Sequence, residues 1–129
     1  MNPVVHFEFP YYNAERISNF YRDVFGWNMT ELGDASGNYI LAQTAQKDVK
    51  PGLPAGSIDG GFYPVKPEWP MQYPSVVIGL ENIAATMQKI ELHGGEVLGT
   101  PIEIPNFGQY VSFRDTEGNR NSIIQPKGM

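Results

Sequence analysis

Residues 4–26 decide the fold: Val4-Val5-His6-Phe7-Glu8-Phe9, then Pro10-Tyr11-Tyr12-Asn13, then Ala14 to Phe25, then Gly26. The first six are β-branched, aromatic and alternating, and Pro3 and Pro10 bracket them as a strand. Asn13 is a helix cap, because its side-chain oxygen can accept a free first-turn amide. Ile17, Phe20, Tyr21, Val24 and Phe25 recur at helical spacing and form one apolar stripe, expected in the core. Gly26 ends the helix, since without a Cβ it adopts positive φ freely.

Working outward, the same order returns. Residues 75–80 read as a strand, and residues 82–93 as a helix with Ile83, Met87, Ile90 and Leu92 inward. Gly94-Gly95 stops that helix. His6 precedes Asn13 by seven residues, and Ser75 precedes Asn82 by seven. Strand-like stretches follow each helix: 27–32, 39–44 and 58–63 in the first half, and 96–104, 109–114 and 119–125 in the second. Pro101 interrupts the first of the latter three. Residues 45–57 read as a Gly/Pro-containing loop, and Asp115-Thr116-Glu117-Gly118 as a turn. Pro64, Pro67, Pro70 and Pro74 make residues 64–74 a semi-rigid connector. The expectation is an α+β protein of one domain over 1–129, with βαβββ modules over 3–64 and 75–126. One helix can cover only one face of each sheet. The modules are therefore expected to form a U-shaped mixed sheet, a half-barrel with helices outside and a concave face for a small ligand.

The chain of 129 residues is 41% apolar and 18% charged, which is globular composition. Nine Lys and Arg against 14 Asp and Glu give a net charge of -5, which discourages binding to nucleic acid or an anionic membrane. Cysteine is absent, so disulfides, thiolate metal sites and cysteine nucleophiles are excluded. No stretch is long and apolar enough for a membrane helix, and the start lacks the features of a secretory signal. A cytoplasmic location is expected.

Strand alternation sets Val5, Phe7 and Phe9 under the helix, and turns Val4, His6 and Glu8 to the concave face. His6 and Glu8 are then neighbours that can act as an acid/base pair or anchor a ligand, because imidazole titrates near neutrality and a carboxylate can fix its tautomer. Asp59 and Glu103 are conceivable further donors to a metal, although no spacing nominates them. Phe62, Trp69 and Tyr73 either line the cavity mouth or cover a sheet edge. Tyr11 and Tyr12 suit a dimer contact. His93 suits a helix C-terminus, Arg16 a surface position, and Asp115 and Glu117 a turn.

The chain resembles the vicinal oxygen chelate superfamily, which includes glyoxalase I, bleomycin-resistance proteins and extradiol dioxygenases. The residues that carry the likeness are Val5-His6-Phe7-Glu8, Arg16, Phe20-Tyr21, Phe25-Gly26-Trp27, Gly60-Gly61 and Asp115-Thr116-Glu117-Gly118-Asn119. The resemblance implies paired βαβββ modules, a U-shaped cavity and a homodimer. In metal-dependent members, ligands come from the first and last strands of both modules. By this likeness His6 takes one such position, Ser75 and Ser122 two others, and Gly61 or its neighbour the last. Serine hydroxyls are poor ligands and glycine has no side chain, so a metal-free site is expected. A divalent metal, if held, would use His6 and Glu8.

The expected function is therefore binding of a small, largely apolar molecule without cofactor, with His6, Glu8, Phe62, Ser75 and Ser122 as ligand-binding residues. The alternatives are a lyase, isomerase or dioxygenase-type enzyme with His6 and Glu8 catalytic, and a protein-interaction module with a vestigial cavity.

Overall fold

The computed structural model describes residues 1–45 and 58–128. Its elements are β1 (Val4–Tyr11), α1 (Ala14–Phe25), β2 (Asn28–Glu31), a 3-10 turn (Asp34–Ser36), β3 (Ile40–Gln43), β4 (Asp59–Pro64), β5 (Ser75–Gly79), α2 (Ile83–Leu92), β6 (Glu96–Ile104), β7 (Gly108–Arg114) and β8 (Arg120–Pro126). This is an α+β chain of two βαβββ modules. From residue 46 onward, the loop expected over 45–57 lies outside the described residues. Two compact units result. One is His6–Pro74, and the other joins Met1–Val5 to Ser75–Met129.

In the His6–Pro74 unit the strand order is β2-β3-β4-β1. β1 runs parallel to β4, and the other pairs are antiparallel. Phe7, Tyr11, Met29, Ile40, Ala42 and Phe62 form the buried core, with Phe9, Ile17, Tyr21 and Trp27 packed against it. Asn13 caps α1 as expected, its Oδ1 accepting from Arg16 N at 2.9 Å, and Gly26 closes the helix at φ 72°. β1 and β4 both continue through prolines, because proline suits an extended backbone and costs the ladder only one donor.

The apolar stripe of α1 is wider than the surface it covers. Ala14, Ile17, Ser18 and Tyr21 face the sheet, whereas Phe20, Val24 and Phe25 are 52%, 57% and 59% exposed, against the expectation that they are core. Phe20 and Val24 lie to one side of the buried wedge. Phe25 sits at the helix end, where its ring meets those of Tyr21 and Trp27 without being enclosed. In the connector, Gln72 Oε1 accepts from Lys66 N at 2.7 Å, and the Lys66 ammonium lies 4.6 Å from the Trp69 ring centroid. Trp69 and Tyr73 are both exposed.

In the other unit the order is β5-β8-β7-β6, with β5 parallel to β8 and the remaining pairs antiparallel. Leu80, Ile83, Val111 and Ile123 are buried beneath α2, joined by Ile78, Met87, Ile90, Val97 and Phe113. Asn82 caps α2 through Ala85 N at 3.0 Å, and Gln125 Oε1 accepts from Ile83 N at 2.9 Å. Leu92 is 80% exposed and not inward. It follows Ile83 by nine residues, and at 3.6 residues per turn that is half a revolution away. Val5, expected under a helix, is instead 41% exposed and belongs to this unit, where Pro3 O accepts from Gly79 N at 2.9 Å. Pro101 coincides with a register shift between Leu98 and Ile102 of β6. The β7–β8 turn is closed by Asp115, whose carboxylate accepts from Glu117 N, Asn119 N and Asn119 Nδ2. These bonds to Asn119 and Glu117 hold the Asp115 carboxyl below its usual range.

Among the described residues no helix is long and apolar enough to cross a membrane.

Candidate functional site

β1 and β4 pair in register, His6 with Asp59 and Glu8 with Gly61, and β3 places Leu41 beside Gly61. Phe7 and Phe62, of the opposite parity, are in the core beneath α1. His6, Glu8, Gly61 and Leu41 therefore share the sheet face turned away from that core. Tyr39, immediately before β3, joins them there.

Three of these side chains form one hydrogen-bonded chain. Tyr39 Oη donates to Glu8 Oε2 at 2.9 Å, and His6 Nε2 lies 2.9 Å from the same hydroxyl. Since the Tyr39 proton goes to Glu8, the Tyr39 oxygen is left as acceptor and His6 donates its Nε2–H. A neutral imidazole with its hydrogen on Nε2 keeps a lone pair on Nδ1. Burial lowers the His6 pKa below the ordinary imidazole value, although the negative charges of Glu8 and Asp59 pull in the other direction. The ring is thus neutral at pH 7. Glu8 is buried, and His6 and Tyr39 are half-buried.

Tyr39 escapes sequence reading, because residues 39–44 announce only a strand. What admits it is Gly61. A Cβ built there would overlap the Tyr39 Oη, Cε1 and Cζ atoms, so the ring lies where the side chain of any other residue would begin. Gly60 does the same for the ring of Phe7 on the core face. A glycine pair inside a strand signals such close approach, and this is the trace of Tyr39 that the sequence carries.

Phe62 lies on the other face of the sheet. It has no exposed surface and packs in the core against Phe7, Phe9 and Tyr21. In the other unit, Ser75 and Ser122 lie on the sheet face turned away from α2. Ser122 is wholly buried, and its Oγ lies 2.7 Å from Tyr110 Oη and 2.9 Å from Ser112 Oγ. The buried Ser122 hydroxyl thus ties Tyr110 to Ser112. Ser75 Oγ accepts from Arg120 Nη1 at 3.3 Å.

Among the described residues, the donors beside His6 fall short of the ligand count of a resident divalent metal. His6 Nε2 and Glu8 Oε2 are both engaged by Tyr39, Gly61 offers nothing, and Asp59 Oδ1 accepts from Thr44 N at 2.9 Å. Catalytic zinc takes three protein ligands, and magnesium takes several oxygens. No group of three or more His, Cys, Asp or Glu is placed to hold an ion among the described residues. Glu103 is exposed on β6, opposite Gln109. Arg16 is exposed, and exposed His93 closes α2.

Two surface clefts lie elsewhere. One is lined by Met87, Gln88, Glu91, Leu92, Val97 and Gly99, the other by residues from Pro10 to Phe20, and neither includes His6, Glu8 or Tyr39.

A model of the glyoxalase/bleomycin resistance protein/dioxygenase superfamily matches residues 4–123. Among solved structures, the hypothetical protein BH1468 from Bacillus halodurans C-125 aligns with a TM-score of 0.69 at 13% identity, covering 99% of this chain and 96% of that one. The methylmalonyl-CoA epimerase from Mycobacterium tuberculosis aligns at 0.68 and 12% identity, covering 95% and 87%. A variant of the Streptomyces coelicolor methylmalonyl-CoA epimerase in complex with 2-nitronate-propionyl-CoA aligns at 0.70 and 15%, covering 100% and 97%. At these identities the likeness is one of fold. No curated protein matches.

Proposed function

Because this chain belongs to the glyoxalase/bleomycin resistance protein/dioxygenase superfamily, we propose that it binds a small, largely apolar molecule carrying one hydroxyl or N–H group, without a catalytic metal. The observation that carries this reading is the His6–Tyr39–Glu8 chain on the sheet face opposite the core. Glu8 fixes the Tyr39 hydroxyl, Tyr39 fixes the imidazole, and the imidazole presents Nδ1 as an acceptor to the ligand. Leu41 and Gly61 supply an apolar floor beside it. Affinity then comes chiefly from burying apolar ligand surface, at about 25 cal/mol per Å² before association costs.

The test is fluorescence titration with N-phenyl-1-naphthylamine, an uncharged probe with one N–H. We expect saturable binding that weakens at least about tenfold in His6→Gln, the equivalent of one hydrogen bond. Unchanged affinity in a folded His6→Gln protein overturns the reading.

The depressed His6 pKa favours a second function on the same residues. A neutral imidazole backed by a tyrosine and a carboxylate can remove a proton next to a carbonyl and return it. Incorporation of deuterium from D2O into hydroxyacetone, followed by NMR and lost in His6→Gln, would establish that activity. Exchange at the uncatalysed rate rejects it for this probe class.

A further inference from the structure

α1 is apolar over more of its circumference than its sheet covers. Phe20, Val24 and Phe25 are exposed, and so is Tyr12, at 84%, just ahead of the Asn13 cap. Tyr11, by contrast, is buried and donates its hydroxyl to Asn38 O at 2.6 Å. The exposed residues are contiguous. Tyr12 and Phe20 line one cleft of about 310 Å³ together with Asn13, Arg16 and Ile17. Phe20 and Val24 are neighbours one turn apart, and the rings of Phe20 and Phe25 lie 6.3 Å from each other. With about 200 Å² for a whole aromatic side chain, the patch exposes roughly 450 Å² of apolar surface. A contiguous patch of that size commonly marks a site of interaction.

The charges beside the patch indicate what covers it. Arg16, Phe20 and Val24 follow one another at i, i+4 along one side of the helix, and Asp23 stands two turns beyond Arg16 on that side. Arg16 and Asp23 are both exposed. We propose that this side of α1 is the interface with a second copy of the chain, the two helices antiparallel about a two-fold axis beside Phe20. Such an axis makes a surface meet itself, so that residue i faces j and j faces i. Arg16 then meets Asp23 of the second copy, and Asp23 meets Arg16 of the second copy. Phe20 packs against its own equivalent, and Val24 of the second copy comes level with the cleft between Asn13 and Ile17. A parallel pairing would instead set Arg16 against Arg16 and Asp23 against Asp23. A stable interface takes about 800 Å² from each partner, rather more than half of it apolar, and the patch supplies about that share. The net charge of -5 repels two copies at long range, and the Arg16–Asp23 pairs select the register in which they meet. The inference does not rest on the His6 reading.

Analytical ultracentrifugation of the protein across the micromolar range tests it. The expected species is a dimer, twice the chain mass of 14.4 kDa. Phe20→Glu should weaken the dimer at least about tenfold, because it sets a charge at the apolar centre of the interface. Arg16→Asp and Asp23→Arg should each weaken it at least about tenfold, because each places like charges opposite one another at both contacts. Mixing these two singly substituted proteins should restore a dimer built from one of each, since opposite charges then meet at both contacts. That recovery is specific to the antiparallel pairing. Wild-type protein that stays monomeric throughout the range overturns the proposal and leaves the patch to another occupant. So does a dimer that survives Phe20→Glu or either charge reversal. Charge-reversed proteins, folded by circular dichroism, that remain monomeric on mixing overturn it as well.

Discussion

Replacing Gly61 with alanine adds one methyl group where the Tyr39 ring already lies. The new Cβ overlaps Oη, Cε1 and Cζ of Tyr39, so the ring must leave, and both of its 2.9 Å hydrogen bonds go with it. Overpacking of this kind costs roughly 1–3 kcal/mol. Each lost hydrogen bond adds about 1 kcal/mol, since His6 and Glu8 are at least half-buried and lose a partner. The expected loss for Gly61→Ala is therefore at least about 3 kcal/mol. In a Tyr39→Ala background the overlap has no object. Gly61 is not among the positive-φ residues, so alanine suits its backbone. There the same change should cost under about 1 kcal/mol, and restriction of the unfolded chain could make it favourable. The four proteins of this cycle are compared by urea unfolding followed by circular dichroism. We expect a coupling energy of about 2 kcal/mol, within the range of residues in contact. Costs that add to within about 0.5 kcal/mol would refute the claim that Gly61 exists to seat Tyr39.

Other expectations follow from the same residues. The folded-state pKa of His6 lies below its unfolded value, so the unfolded chain binds more protons between the two. The His6 contribution is thus present at neutral pH and is lost as pH falls through about 6.5 toward the folded value. His6→Gln should flatten that part of the stability profile, and an unchanged profile contradicts it. Asn13→Ala and Asn82→Ala should each cost about 1 kcal/mol in urea unfolding, because each removes one cap bond. Phe62→Leu should lower the melting temperature while N-phenyl-1-naphthylamine affinity stays at the wild-type value, and weakened probe binding would return Phe62 to the site. Extended dialysis against EDTA should leave both the melting temperature and probe binding unchanged; a drop restored by one divalent ion would count against the donor analysis.

The element order was legible because it is written locally. Asn13 and Asn82 cap their helices through backbone amides three residues on, and Gly26, Gly94 and Gly118 take positive φ where a segment ends or turns. His6 and Glu8 were legible as face-mates because alternation along one strand needs no partner. What remained hidden depends on partners distant in sequence. Tyr39 reaches Glu8 only because β3 pairs with β4 in one register. The seeming core residues Phe20, Val24 and Phe25 show the limit of periodicity: it marks an apolar stripe but not the width of the sheet beneath it. The complete burial of Phe62 and Ser122 is hidden for a related reason, since depth of burial is set by neighbouring strands.

The allotment of Met1–Val5 to the unit built from Ser75–Met129 has a consequence for synthesis. Pro3 leaves the ribosome well before Gly79, yet the amide it serves belongs to Gly79. Residues His6–Pro74 can assemble while those opening residues wait without their mate. A polypeptide of residues 1–74 should therefore protect its His6 segment from proteolysis and leave residues 1–5 open. Substitutions within residues 1–5 would accordingly disturb the module that begins at Ser75.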